Sequence, residues 1–192
     1  ISDEEKDRIM KYIKNGGYAI INAEYTTKET PNIKELLKYY GINEQMGNIC
    51  ETTGNYYNYV NCIVPQISTS ESITSKLSGM LVIPYPVALS QVKKDSLRST
   101  LKISELLTTS DGSYLKVDPS SGDGKKTEGD IDGPFNVGVL VTDKNKSGKE
   151  SKLIAFGSAT AFSDDFTSAG QLDNGELFSN AVNSLLKSDV KQ

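Results

Sequence analysis

The sequence predicts an α/β domain with a mostly parallel central sheet, and three observations carry that prediction. A capped amphipathic helix runs into Gly16-Gly17 and from there directly into the apolar run Tyr18-Ala19-Ile20-Ile21-Asn22-Ala23. A second apolar run, Leu153-Ile154-Ala155-Phe156, ends in the small residues Gly157-Ser158, the kind of turn expected at the carboxyl end of an α/β strand. Helix-period segments and short apolar runs both occur along the chain, and helices layered on a sheet are the packing that buries both.

The elements follow in order. Ser2-Asp3-Glu4-Glu5 is a capping box: the Ser2 hydroxyl accepts from the Glu5 N–H, and the Glu5 carboxylate reaches back to Ser2. Ile9, Met10 and Ile13 form the apolar stripe of this first helix, and Gly16-Gly17 stop it where positive φ is cheap. Residues 18–23 read as a buried strand. Thr30 is placed as N-cap of a second helix and Pro31 at its first position; Ile33, Leu36, Leu37 and Tyr40 share one face, and Gly41 ends it. Residues 60–67 read as extended, with Pro65 arguing against a central strand.

Residues 70–77 fit a short helix, and 80–83 a second buried strand ended by Pro84 and Pro86. Residues 101–107 alternate in part and read as a strand. The stretch 118–133, rich in Gly, Asp, Ser and Lys, reads as a flexible loop or insertion. Residues 135–142 form a Val-rich strand, 143–149 a polar hairpin turn, and 153–156 a buried strand. Asn174 is placed to cap the last helix, whose apolar face is Leu177, Phe178, Ala181, Val182 and Leu185. The length of 192 residues suits a single α/β domain, or one domain with a small appendage, and the chain is read as one domain.

Composition excludes several chemistries. The chain contains no histidine, so Ser-His-Asp, Cys-His and His-ligated metal sites are out of reach, and any general base would be Asp, Glu or Lys. A net charge of −4 without a basic cluster argues against nucleic acid. Cys50 and Cys62 leave two readings open: a disulfide, worth about 3 kcal/mol by loop entropy, or two unpaired thiols. No apolar run approaches the roughly 20 residues that span a bilayer. The chain opens at Ile1-Ser2-Asp3 without Met, and is expected to be a piece of a larger membrane protein.

Three constellations offer function. Gly157-Ser158-Ala159-Thr160 follows a strand, where a nucleophile or an anion site is found in other α/β proteins; here the G-x-S-x-G pattern is missing and a plain turn is expected. Asp164 and Asp165, with Asp123, Asp130, Asp132 and Asp173, offer oxygen ligands of the kind Ca²⁺ takes, without EF-hand spacing; capping and solvation are the expected roles. Tyr56, Tyr57 and Tyr59 offer flat apolar faces with polar tips, suited to a sugar ring or a protein partner, or else to packing within an irregular segment. The residues singled out for an interaction surface are Tyr56, Tyr57, Tyr59, Ser158, Asp164 and Asp165. No catalytic residue, metal or cofactor is expected.

Read in order, "ISDEEKDRIMKYIKNGGYAIINAE", "PNIKELLKYYGI", "NYVNCIVPQI", "SESITSKL", "LLTTSDGSYL", "GPFNVGVLV", "SKLIAFGSATAFSDDF" and "NGELFSNAVNSLL" resemble the GldG-like auxiliary components of ABC-type transport systems, across nearly the whole chain. The resemblance implies a flavodoxin-like fold similar to the class I glutamine amidotransferases, with helices on both faces of the sheet and inserted loops. It implies a non-catalytic extracytoplasmic domain working with ABC permease and ATPase subunits, the membrane being reached through flanking segments. The amidotransferase pair of a strand-end Cys and a His has no counterpart here. A cell-surface carbohydrate- or peptide-binding module is the alternative.

Overall fold

The computed structural model describes residues 1–26, 28–118 and 124–186. Helix α1 (Asp3–Lys14) starts on the expected capping box, with Ser2 Oγ accepting from Glu5 N at 3.2 Å and Glu5 Oε2 accepting from Ser2 N at 2.7 Å. Gly16, at φ +94°, turns the chain into β1 (Tyr18–Asn22). Helix α2 (Pro31–Tyr39) follows with Pro31 at its start, although the Thr30 side chain makes no capping bond. Strands β2 (Ile42–Gln45), β3 (Asn48–Glu51), β4 (Cys62–Ile63), β5 (Gln66–Ile67), β6 (Ile83–Pro84) and β7 (Ala88–Gln91) come next, none longer than four residues. The long strands are β8 (Leu101–Thr108), β11 (Asn136–Lys144) and β12 (Glu150–Phe156), with β9 (Ser113–Lys116) and β10 (Ile131–Asp132) between the first two. The short helix α3 (Asp164–Thr167) and α4 (Asn174–Leu186) close the described chain.

The central sheet has the order β1-β12-β11-β8-β5. It is mixed, not mostly parallel: β1 pairs with β12 in parallel, while β12/β11, β11/β8 and β8/β5 are antiparallel. The reason lies in the connections. A parallel neighbour needs a crossover of a dozen or more residues, usually helical, and among the described residues no helix lies between β8 and β12. The turn after Lys144 joins β11 to β12 as a hairpin instead, closed by the hydrogen bond from Asn145 N to Lys149 O at 2.9 Å.

The sheet carries helices on both faces, and the period-two alternation of its central strands explains why. Val139, Val141, Leu153 and Ala155 face one way and pack with Met10, Ile13, Leu36 and Leu37 of α1 and α2. Leu140, Ile154 and Phe156 face the other way and pack with Leu177, Ala181 and Leu185 of α4. Burying a Leu or Ile side chain fully is worth about 1.5–3 kcal/mol, so both helical layers are fixed by the same two strands.

Four further expectations are corrected. The run at 18–23 forms an edge strand whose residues 18–21 are half-buried, not a fully buried one. Residues 70–77 form turns rather than a helix. Leu81, Val82 and Ile83 are buried, but outside the central sheet, since β6 pairs with β4. Asn174 does not cap α4; the carbonyl of Asp173 accepts from Leu177 N, and the Asn174 side chain turns inward. Of the loop at 118–133, residues 119–123 lie outside the described residues. The described remainder is tied down: β10 pairs with β9, Lys116 Nζ donates to Lys125 O at 2.6 Å, and the Asp130 carboxylate lies 3.6 Å from Lys116 Nζ with both side chains buried.

Candidate functional site: the carboxyl edge of the sheet

Strands β1, β8 and β12 run in one direction, so their carboxyl ends share one edge of the sheet. In open α/β sheets this is where ligands bind. At the end of β1 stands Glu24. Its Oε2 accepts from Ala159 N at 2.9 Å and from Thr160 N at 3.0 Å, and its Oε1 accepts from Thr160 Oγ1 at 3.2 Å. Successive backbone N–H groups after a strand form a concavity for an anion. Here the chain's own carboxylate occupies it.

Ser158, expected on an interaction surface, is fully buried. Its Oγ donates to Pro84 O at 2.6 Å and accepts from Ala161 N at 3.2 Å. It fastens the segment 84–87 across the end of β12, together with the bond from Val87 N to Gly157 O at 2.8 Å. Beneath lies Asn174, 0% exposed, whose Oδ1 accepts from Val82 N at 3.1 Å and whose Nδ2 donates to Val82 O at 2.7 Å and Ala161 O at 2.9 Å.

On this anchored segment sits Tyr85, 43% exposed and at φ +49°. Its N–H donates to Asn61 O at 2.8 Å, which joins it to the tyrosine segment. There Asn58 adopts φ +62°, Tyr57 N donates to Cys62 O, and Cys62 N donates to Tyr59 O. Among the described residues Asn58 and Tyr85 are the two non-glycine residues in the left-handed region, and both shape this surface. Such backbone costs of the order of 1 kcal/mol or more, persists where the surroundings impose it, and clusters at functional sites. Tyr59 is 68% exposed and Tyr56 is 37% exposed. Tyr57 is half-buried, its hydroxyl accepting from Gln171 Nε2 at 3.3 Å.

That last bond brings the tyrosine segment beside the turn joining α3 to α4. Asp164 and Asp165 are exposed in the first turn of α3, where a carboxylate favours the helix. The other aspartates are individually engaged: Asp173 accepts from Ser78 and Gly79 N–H, Asp130 from Val117 and Thr127 N–H, and Asp132 pairs with Lys126. Asp123 lies outside the described residues. Among the described residues no three acidic or thiol groups converge as metal ligands.

Sequence reasoning missed Tyr85 and Glu51. Tyr85 was legible as an aromatic between two prolines, Pro84-Tyr85-Pro86, which is a stiff turn offering a side chain. Glu51 is 0% exposed at the end of β3; its carboxylate accepts from Ser110 N at 3.0 Å, Ser110 Oγ at 2.8 Å and Thr53 Oγ1 at 3.1 Å. Both of its oxygens are engaged by neutral donors, and Ser110 is buried with it. Cys50 and Cys62 are buried free thiols, and burial pushes both thiols above the usual range.

No family model matches the chain, and no curated protein does. Among solved structures, a ThuA-like protein from Bacteroides uniformis is similar at 15% identity over 94% of this chain and 63% of that chain, with a TM-score of 0.47. The mmIFT52 N-terminal domain is similar at 18% identity over 97% of this chain and 72% of that chain, with a TM-score of 0.66. The chain is an α/β domain with a mixed sheet that shares the fold of the mmIFT52 N-terminal domain.

Proposed function

We propose that this domain is a non-catalytic docking module of an ABC-type transport assembly, on the extracytoplasmic face of a membrane, with Tyr56, Tyr59 and Tyr85 as its contact surface. One observation carries the reading. The carboxyl edge presents exposed tyrosines on a strained, firmly anchored backbone, while its anion-accepting N–H groups are occupied by Glu24. Tyrosine is enriched at protein interfaces and in their hot spots, because it combines large contact area with a polar tip. The parallel β1/β12 pair and the helices on both faces support an amidotransferase-like ancestry for the sheet, with the reaction edge turned to recognition.

The test is co-purification of the protein with the permease and ATPase subunits of an ABC transporter from the same cell. Wild type retains both. Tyr59→Ala with Tyr85→Ala loses them, each truncation removing about 2 kcal/mol of binding if the residue is a hot spot. Equal retention by wild type and variant, or a wild type that associates with neither subunit, refutes the reading. The same exposed rings also suit stacking on sugars; a glycan array on which the wild type binds and the double variant does not would assign the surface to carbohydrate instead.

A further inference from the structure

The opposite edge of the sheet holds a cleft of about 510 Å³, within the range of small-molecule sites. It forms where α1, α2 and β11 end and β8 begins. Arg98 is its centre. One guanidinium nitrogen lies 2.8 Å from Asp143 Oδ2, another donates to Tyr39 O at 3.3 Å, and the group stacks 4.2 Å from the Tyr39 ring centroid. Lys14 Nζ lies 4.0 Å from the centroid of that same ring. Asn145 Nδ2 donates to Lys14 O at 3.2 Å and clips the β11–β12 hairpin onto the end of α1, which brings Lys144 and Lys146 to the rim.

Four cations therefore face one carboxylate, in a chain whose net charge is −4. Two of them lie over one aromatic ring, and an anion bound in the cleft offsets their mutual repulsion. The floor is unusual as well. Two lining atoms, Arg98 Nε and Asp143 Oδ1, are buried without a hydrogen-bond partner, and so is the hydroxyl of Tyr40, which lies outside the lining with its ring centroid 5.8 Å from the Arg98 guanidinium. Buried polar side-chain atoms are nearly always paired, so three in one place call for an explanation. Asp143 is 8% exposed, and burial pushes the Tyr40 hydroxyl well above its ordinary range, so it stays protonated as a donor.

We propose that this cleft binds a small phosphate-bearing ligand, with the dianionic group held by Lys14, Arg98 and Lys146. A planar guanidinium with flanking ammonium groups matches a multi-oxygen dianion better than a single carboxylate. The site is separate from the tyrosine surface and does not depend on its role.

Two probes test it. Inorganic pyrophosphate is titrated calorimetrically into the protein at low and at physiological ionic strength, and vesicles of phosphatidylcholine with phosphatidylglycerol are tested by co-sedimentation. Saturable pyrophosphate binding is expected, weakened about tenfold or more in the Lys14→Ala, Lys146→Ala double variant and unchanged in Tyr59→Ala. Both lysines are exposed, so the double variant should melt close to the native chain, which separates lost binding from lost folding. Vesicle association lost in the same double variant, without pyrophosphate binding, assigns the phosphate to a lipid headgroup. Failure of both probes to bind, or a double variant that binds as tightly as the native chain, overturns the proposal and leaves Arg98 and Asp143 as a structural pair.

Discussion

Replacing Asn174 by Ala should be among the most damaging single changes in this domain. The side chain is fully buried and makes three hydrogen bonds, two to the backbone of Val82 and one to the carbonyl of Ala161. At about 1 kcal/mol net for each bond, the loss is about 3 kcal/mol, before any cost of the backbone groups left unpaired. For a chain of this size that lowers the melting temperature by roughly 6–12 °C. Guanidinium unfolding followed by circular dichroism should show a lower midpoint with an unchanged slope. Asn174→Asp should be at least as harmful, because it keeps the acceptor for Val82 N–H but turns a second acceptor toward two carbonyls. Val82 lies three residues before Tyr85, so both variants should also weaken partner capture through the tyrosine surface. A loss below about 1 kcal/mol for Asn174→Ala would refute the reasoning, since it would mean these bonds add nothing over solvated ones.

The other expectations concern acid, strain and thiols. Burial holds the Glu44 carboxyl above its ordinary value of 4.5, with Lys34 pulling the other way. A carboxyl raised in the folded state stabilises it while protonated; that contribution is complete below 4.5 and disappears as pH rises through the raised value. Glu44→Gln should therefore raise the unfolding midpoint at neutral pH and match wild type in acid; parallel pH curves for the two proteins would contradict this. Tyr85→Gly should keep or raise stability by up to about 1 kcal/mol, because glycine accepts positive φ freely, yet it should abolish docking; a large loss of stability would show the ring to be a packing element. Thiol reagents at neutral pH should label neither Cys50 nor Cys62 in the folded chain and both after denaturation, since both thiols are buried with raised pKa. Rapid native labelling of Cys62 would argue against its burial.

Local signals in the sequence translated well where the physics is local. The Ser2/Glu5 box, Pro31 at the start of α2, the alternation in β8 and β11 and the hairpin at 143–149 all depend on neighbours a few residues away. Strand direction does not. Helix–strand succession implies parallel neighbours, but among the described residues no helix lies between β8, β11 and β12, and the short turn between the last two points to antiparallel pairing. The apolar run at 18–23 matches a central strand in composition; its place at the edge depends on which strands lie beside it.

The candidate site was legible in part. Tyr56 and Tyr59 are exposed as a tyrosine-rich, Gly/Asn-flanked segment suggests. Ser158 is not, because its hydroxyl is needed by Pro84 O, a contact across 74 residues of sequence. Tyr85 and Glu24 also join the site through partners outside their own segments, Asn61 for one and Ala159 and Thr160 for the other. Arg98 and Asp143 are likewise 45 residues apart in sequence and meet only because β8 and β11 are neighbours.

Strand β12 has neighbours on both sides, β1 and β11, and it runs from the phosphate cleft to the tyrosine edge. Seven residues at about 3.3 Å each make it a strut of roughly 23 Å, more than twice the screening distance of about 8 Å in physiological salt. Exposed charge arriving at one pole is therefore largely screened from the other. To slip by one residue the strut would have to break two ladders and turn both apolar faces inside out at once, so the two poles can be loaded together and independently, like opposite ends of a rigid beam.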